Sequence, residues 1–393
     1  MLLNFAYYTS TRVFFGKDVE NKAGRLLKRD GAHKVLVHFG GHSAEKSGLL
    51  AKVCANLEAA GLEYVKLGGV APNPRLGLVH EGIKLCREEG VDYVLAVGGG
   101  SVLDSAKAIC IGVPYEGEVW DFFERTAVAE KSLPLASILT IAATGSEMSP
   151  SAVITNEDGW LKRGLNCDLY RCRFSLLNPE LTYTLPAYQT ASGGTDIIMH
   201  TLERYFAKGE TLELVDSMGE ALIRDIIKYL PQALADSKDY QARAEIMWAG
   251  SVSHNDMTGD HLLGDWAVHQ LEHELGGMFD VAHGAGLAAV WGSWARYVLP
   301  ANPARFAGLA EHVFGIAPGE DVKATALAGI EALENFFRSI NMPTCLSELK
   351  LNLKEEQIKE LAYKCSFRGN RTIGGFQVLG INDMEAIYRA ANH

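Results

Sequence analysis

The chain has 393 residues, more than one hydrophobic core usually holds, so two domains are expected. Apolar residues make up 48% and charged residues 22%, the balance of a soluble globular protein, and no apolar run is long enough to span a membrane. A net charge of -11 with no Lys/Arg block excludes nucleic acid or an anionic membrane surface as the main partner.

The opening MLLNFAYYTSTR lacks a basic start, an apolar core and a small-residue cleavage site, and a cytoplasmic location is expected. The first half then alternates short β-branched runs with amphipathic segments. KVLVHFG (34–40) reads as a strand, EKSGLLAKVCANLEAAG as a helix, EYVKLGG as a strand, RLGLVHEGIKLCREEG as a helix, DYVLAVGGG as a strand and LDSAKAICIG as a helix. LPLASILTIAA adds a strand that runs into a turn at Thr144 and Gly145. This order predicts an N-terminal α/β, Rossmann-like domain with a parallel sheet. Past about residue 186, LVDSMGEALIRDIIKYLPQAL, YQARAEIMWAGSVSHN, TALAGIEALENFFRSIN and KEEQIKELAYKC carry apolar residues at helical spacing, which predicts an all-α C-terminal domain. Pro179 and Pro186 punctuate the junction, and the domains are placed at 1–183 and 184–393. The seven cysteines form no CxxC pair and are expected to be reduced and mostly buried.

Three loops point to a nucleotide. GGGSVLDSAK places Gly98, Gly99, Gly100 and Ser101 between a predicted strand and helix, where backbone without Cβ atoms and free helix-start N–H groups favour a pyrophosphate. It is not the spaced GxGxxG fingerprint, and Asp104 with Lys107 reads equally well as a solvated helix pair. In TIAATGSEMSP, Thr140, Thr144 and Ser146 offer hydroxyls to ribose or phosphate, though such a loop alone is more often a helix cap. At the end of the second strand, where NAD-preferring folds place a carboxylate, Gly40, Gly41, His42 and Ser43 stand instead, with Lys46 beyond. A 2′-phosphate meets no repulsion there, so NADP(H) is favoured over NAD(H).

The second half carries a metal pattern. Asp196 and His200 lie four apart, as do His269 and His273, and His283 follows a Gly-rich turn. Residues at i and i+4 share a helix face, so each pair can aim two side chains at one point. Asp196, His200, His269 and His283 are the expected ligands of one divalent ion. One carboxylate and three imidazoles suit Fe(II), which is favoured, or Zn(II). His273 would then stand beside the ion unbound, either relaying a proton or merely packed.

Together these stretches resemble the iron-containing (group III) alcohol dehydrogenase family, and within it the branch of butanol dehydrogenases and NADPH-dependent aldehyde reductases. The resemblance is carried by NFAYYTSTRVFFG, PNPR, VGGGSVLDSAK, TIAATGSEMS, NPELTYTLPAYQTASGGTDIIMHTLE, HQLEHELGGMFDVAHGAGLA and GINDMEAIYRAA. It implies the two-domain, dehydroquinate synthase-like architecture with an active site in the cleft between the domains. It implies that Asp196, His200, His269 and His283 hold the metal and that His273 lines the substrate cleft. It assigns Gly98, Gly99, Gly100, Ser101 and Asp104, with Thr140, Thr144 and Ser146, to the cofactor, and adds Asn73 and Lys162. Many NAD-using members have an acidic residue near position 41, where Gly41 stands here. The implied partner is a small alcohol or aldehyde such as butanol or butanal, and the implied assembly a homodimer through an edge strand near the N-terminus.

The implied reaction moves hydride between a nicotinamide and a carbonyl carbon, with a metal stabilising charge on the oxygen. Glycerol or diol oxidation is the nearest alternative. A lyase of the dehydroquinate synthase type needs a basic cluster near the ligands, where only Arg204 stands out, and a non-catalytic scaffold is expected to have lost ligands that are intact here. Trp120, Phe123, Met148, Ser149, Leu263 and Phe279 are the expected pocket lining.

Overall fold

The computed structural model describes residues 3–393; Met1 and Leu2, which head the stretch read above for a leader, lie outside the described residues. The chain forms two compact units. One is Thr9–Leu185, and the other is Pro186–His393 joined by the described N-terminal residues as far as Tyr8.

In the first unit the strands are β1 (Arg12–Phe15), β2 (Lys34–Gly40), β3 (Glu63–Val70), β4 (Tyr93–Gly98), β5 (Leu135–Leu139), β6 (Ser151–Asn156), β7 (Leu161–Asn166) and β8 (Phe174–Leu177). Among the described residues, six of them form one sheet in the order β1-β8-β5-β4-β2-β3, with every neighbouring pair parallel. The helices are α1 (Ala23–Arg29), α2 (Ser43–Lys46), α3 (Leu49–Ala59), α4 (Leu76–Glu89), α5 (Gly100–Gly112) and α6 (Trp120–Phe123). β4 and β5 are buried along their whole length, which is why they read as unbroken apolar runs instead of alternating ones. On one face Val35, Val37, Leu95, Val97, Ala136 and Ile138 pack with Leu26 and Leu27 of α1 and Leu50, Val53 and Leu57 of α3.

The four expected strands coincide with β2 to β5. The helix expected over EKSGLLAKVCANLEAAG is instead broken in two, because Gly48 takes a left-handed φ of 78° between α2 and α3. The antiparallel hairpin β6–β7 has no counterpart in the sequence reading.

The second unit is helical, as expected, with α7 (Ala187–Tyr205), α8 (Glu213–Ala235), α9 (Tyr240–Ser253), α10 (Ala267–Phe279), α11 (His283–Val298), α12 (Pro303–Phe314), α13 (Val322–Ser339), α14 (Glu355–Cys365) and α15 (Ile381–Ala391). α7 is the buried axis of this unit, with nearly every side chain from Thr190 to Tyr205 removed from solvent. Its glycines cost helix propensity, but they admit neighbours that a Cβ would block. A Cβ on Gly194 would stand 2.4 Å from Leu230 of α8, and one on Gly284 of α11 would stand 2.0 Å from the backbone oxygen of Ser192. Beyond the end of α7, Phe206 packs on Phe306, Phe376 and Trp294 at ring separations of 4.3, 5.4 and 5.5 Å. No helix of the described residues is long and apolar enough to cross a membrane. All seven cysteines are free thiols, six of them buried.

Candidate functional site

Because the sheet is parallel, the segments that follow β2, β3, β4 and β5 all leave it at the same edge. Those segments hold Gly40 to Ser43, Asn73, Gly98 to Ser101 and Thr140 to Ser146 respectively. From β2 the chain steps outward to β3, then crosses back to β4 on the other side of β2 and continues to β5. The strand order therefore reverses between β2 and β4, and open α/β sheets form a ligand-sized crevice at such a point.

The two glycine- and hydroxyl-bearing loops are bound to each other. Thr140 donates its backbone N–H to Gly98 at 3.0 Å, and a Cβ on Gly100 would come within 2.4 Å of the Thr144 hydroxyl. One reason glycine is needed at position 100 is thus the neighbouring loop. Asp104 accepts from Ser146 Oγ (2.9 Å) and from the Val153 N–H (3.1 Å). Lys107 is fully buried and donates to Ser146 O, Ser146 Oγ, Ser149 O and Ser151 O at 2.6 to 3.1 Å. The solvated Asp104–Lys107 pair is therefore corrected. Both side chains strap the 146–153 segment onto α5, and helical periodicity could not reveal this because the acceptors lie some 40 residues on. Burial pulls the Lys107 ammonium below its usual range, and Asp104 and Glu147 oppose that.

Asn73 is buried in a left-handed conformation (φ 52°), and Lys162 is buried on β7. The strand β6 links them. Thr155 donates its N–H to Pro74 O at 2.8 Å and pairs with Lys162 across the hairpin. Gly41, His42 and Ser43 are exposed, and Glu45, the first carboxylate beyond β2, faces His42 at 3.6 Å. Of the expected pocket lining, Trp120, Phe123, Met148 and Ser149 are buried.

In the helical unit, Asp196 and His200 come from α7, His269 from α10 and His283 from the first turn of α11. Three imidazoles converge on one oxygen. Asp196 Oδ1 lies 3.1 Å from His200 Nδ1, 3.6 Å from His283 Nε2 and 3.8 Å from His269 Nε2. Atoms of Asp196, His200 and His269 all fall within 4.8 Å of one another, the spacing of a metal cluster. The His273 ring lies 6.0 Å from that of His283.

Burial alone would raise the Asp196 carboxyl, but His200, His283 and His269 hold it well below the usual range. Burial takes His200 down to about 4, with His269 adding to the effect. His269 goes the other way: burial would lower it, yet Asp196 and Glu203 bring it up to about 9. At 3.8 Å the His269–Asp196 pair attracts as charges rather than as a hydrogen bond. A proton on His269 would supply positive charge where a cation would, and a divalent ion bound there would displace it.

Residues 10–179 match the family model described as iron-containing alcohol dehydrogenase, and residues 190–392 match the one described as Fe-containing alcohol dehydrogenase family, C-terminal. The chain belongs to the iron-containing alcohol dehydrogenase family. Over 390 residues, 99% of either chain, it is 40% identical to a probable NADH-dependent butanol dehydrogenase 2 of Bacillus subtilis. It is 33% identical, again over 99% of both chains, to the NADPH-dependent aldehyde reductase YqhD of Escherichia coli. The crystal structure of NADH-dependent butanol dehydrogenase A from Thermotoga maritima superimposes with a TM-score of 0.94 at 37% identity, covering 99% of each chain.

The residues of this iron-containing alcohol dehydrogenase fit a divalent ion. Asp196 Oδ1 and His269 Nε2 are buried with no hydrogen-bond partner among the described residues, an arrangement that costs stability unless a ligand completes it. The donors are oxygen and nitrogen without thiolate, as iron or zinc accepts.

Sequence reading missed several neighbours. Glu203 Oε1 accepts from the His269 backbone N–H (2.9 Å) and from its Nδ1 (2.7 Å), and Glu272 Oε2 pairs with His283 Nδ1. His254 lies against His200 with ring centroids 4.2 Å apart and planes tilted by 33°, and Trp266 packs edge-on against His269 at 5.4 Å. The available signal was an acidic residue inside each ligand stretch, HTLE and HQLEHE, at positions the structure buries.

Proposed function

We propose that the protein is a divalent-metal-dependent enzyme that exchanges hydride between a nicotinamide cofactor and a small primary alcohol or aldehyde of the butanol/butanal kind, with Fe(II) and NADP(H) favoured. The observation that carries this reading is the convergence of His200, His269 and His283 on Asp196 Oδ1 in a chain of this family. When bound, the ion supplies Lewis acidity and the nicotinamide supplies the hydride. Asp196, His200, His269 and His283 hold the ion. Gly98 to Ser101, Asp104, Thr140, Thr144 and Ser146 hold the cofactor, with Gly40, Gly41, Ser43, Asn73 and Lys162 beside it. His273 donates or relays the proton. Arg204 does not serve a phosphorylated lyase substrate in this reading, since it donates to Gly259 O, His200 O and Asp256 Oδ1.

NADP(H) is favoured because no carboxylate precedes Glu45 beyond β2 and Glu45 faces His42. The B. subtilis relative named NADH-dependent favours the other nicotinamide. Protein loaded anaerobically with Fe(II) and assayed with NADPH and NADH over a series of alkanals decides both points. Oxidation of NADPH faster than NADH is expected, and oxidation of neither would overturn the reading. His273→Ala should lower kcat by about 100-fold or more while metal content stays at wild-type level. Loss of the metal in that variant would make His273 a ligand. A cytoplasmic homodimer belongs to the same proposal, with the outer edge of β1 and the exposed Phe15 as the joining surface. A monomer in sedimentation would remove that part.

A further inference from the structure

His269 and His283, whose Nε2 atoms lie toward Asp196 Oδ1, each have their other nitrogen on a buried carboxylate. Glu203, 2% exposed, takes the His269 Nδ1 and the His269 backbone N–H on a single oxygen. Glu272, fully buried, takes the His283 Nδ1. A carboxylate at Nδ1 keeps a proton on that nitrogen and turns Nε2 toward Asp196. His200 is tied differently, through the backbone oxygen of Asp196 at 3.0 Å.

The placement of these carboxylates is ordered. Glu203 lies on α7, the helix that bears Asp196 and His200, and it aims the ligand of α10. Glu272 lies on α10, the helix that bears His269, and it aims the ligand of α11. α7 and α10 thus each present a ligand of their own and bond the ligand of a later helix. Burying two carboxylates beside imidazoles is costly in an apolar interior, and it is offset here by the hydrogen bonds and by the positive charge the cluster attracts.

We propose that Glu203 and Glu272 are positioning residues that set His269 and His283 for the ion and pass alignment in sequence from α7 to α10 to α11. This rests on the metal-site reading above. It also separates the histidines by role: His269 and His283 are held for coordination by dedicated carboxylates.

The test uses the full-length protein stripped of metal and titrated with Co(II) and Zn(II) against a competing chelator. Glu203→Gln and Glu272→Gln should each weaken binding by about 10- to 100-fold. The Co(II) ligand-field absorption should change shape, while affinity for NADPH stays at the wild-type value. Glu272→Asp, which keeps the charge but withdraws it from His283, should weaken binding as Glu272→Gln does. Binding within about twofold of wild type with an unchanged Co(II) spectrum would overturn the proposal. If Glu203→Gln fails to fold, the two Glu272 variants carry the test. Wild-type protein that binds no divalent ion would sink the metal-site reading, whereas equal binding by wild type and variants would sink only these positioning roles.

Discussion

His38 lies at the centre of β2 with no exposed surface, its Nδ1 donating to Leu67 O and its Nε2 accepting from Ser105 Oγ, both at 2.9 Å. Burial lowers its pKa from 6.5 to about 4, and the bond to Leu67 only partly opposes this. Between those values the unfolded chain binds a proton that the folded chain refuses. The stability this histidine contributes is therefore complete above pH 6.5 and is lost as the pH falls toward 4. At 1.36 kcal/mol per unit, wild-type protein should lose about 2 kcal/mol more between pH 7 and pH 5 than His38→Gln does, as read from urea unfolding. Equal losses would refute the assignment. Asp196 with His200, and His269 with His273, were legible as ligand types at helical spacing, and His283 as a histidine after a Gly-rich turn. Lys107 was not, because its partners on the 146–151 segment are set by how the loop folds back on α5.

At the scale of elements, α7 and α11 approach so closely that position 284 has no room for a side chain. Gly284→Ala places a methyl 2.0 Å from Ser192 O, and that atom is backbone and cannot rotate away. The first turn of α11 should move by roughly 1 Å, carrying the adjacent His283 with it, at a cost of about 1–3 kcal/mol. Metal titration of Gly284→Ala should show weaker binding, and an unaltered affinity would show that the helix ends can adjust independently. Periodicity revealed α4, α5, α8, α9, α13 and α14 because their apolar faces repeat at 3.6 residues. It did not reveal the break at Gly48 or the β6–β7 hairpin. The first depends on one left-handed residue, and the second on Thr155 docking against Pro74, about eighty positions earlier.

At the scale of the molecule, the proposed ligand set lies wholly within the helical unit, while the glycine loops belong to the parallel sheet. Ion binding should therefore stabilise the two units unequally. At an ion concentration of 1,000 Kd the gain is about 4 kcal/mol, confined to conformations in which α7, α10 and α11 are assembled. Hydrogen exchange with and without a chelator should show faster exchange over Ala187–Tyr205 and Ala267–Phe279 on metal removal, with Tyr93–Gly98 and Leu135–Leu139 unchanged. Uniform acceleration across the chain would contradict this. The two-unit plan was legible from texture alone, since buried parallel strands and amphipathic helices differ in period. The sheet order was not, because β1 pairs with β8 from the far end of the same unit.

The carboxylate of Glu203 and the histidine it aims are 66 positions apart. During synthesis at ~5–20 residues per second, roughly 3–13 s separate their appearance, and His283 follows later still. A nascent chain that has made α7 owns Asp196, His200 and Glu203 but no second helix to close around an ion. An ion met at that stage would find only the α7 part of the proposed site, so capture would follow the emergence of α10 and α11, with α12 to α15 still to come.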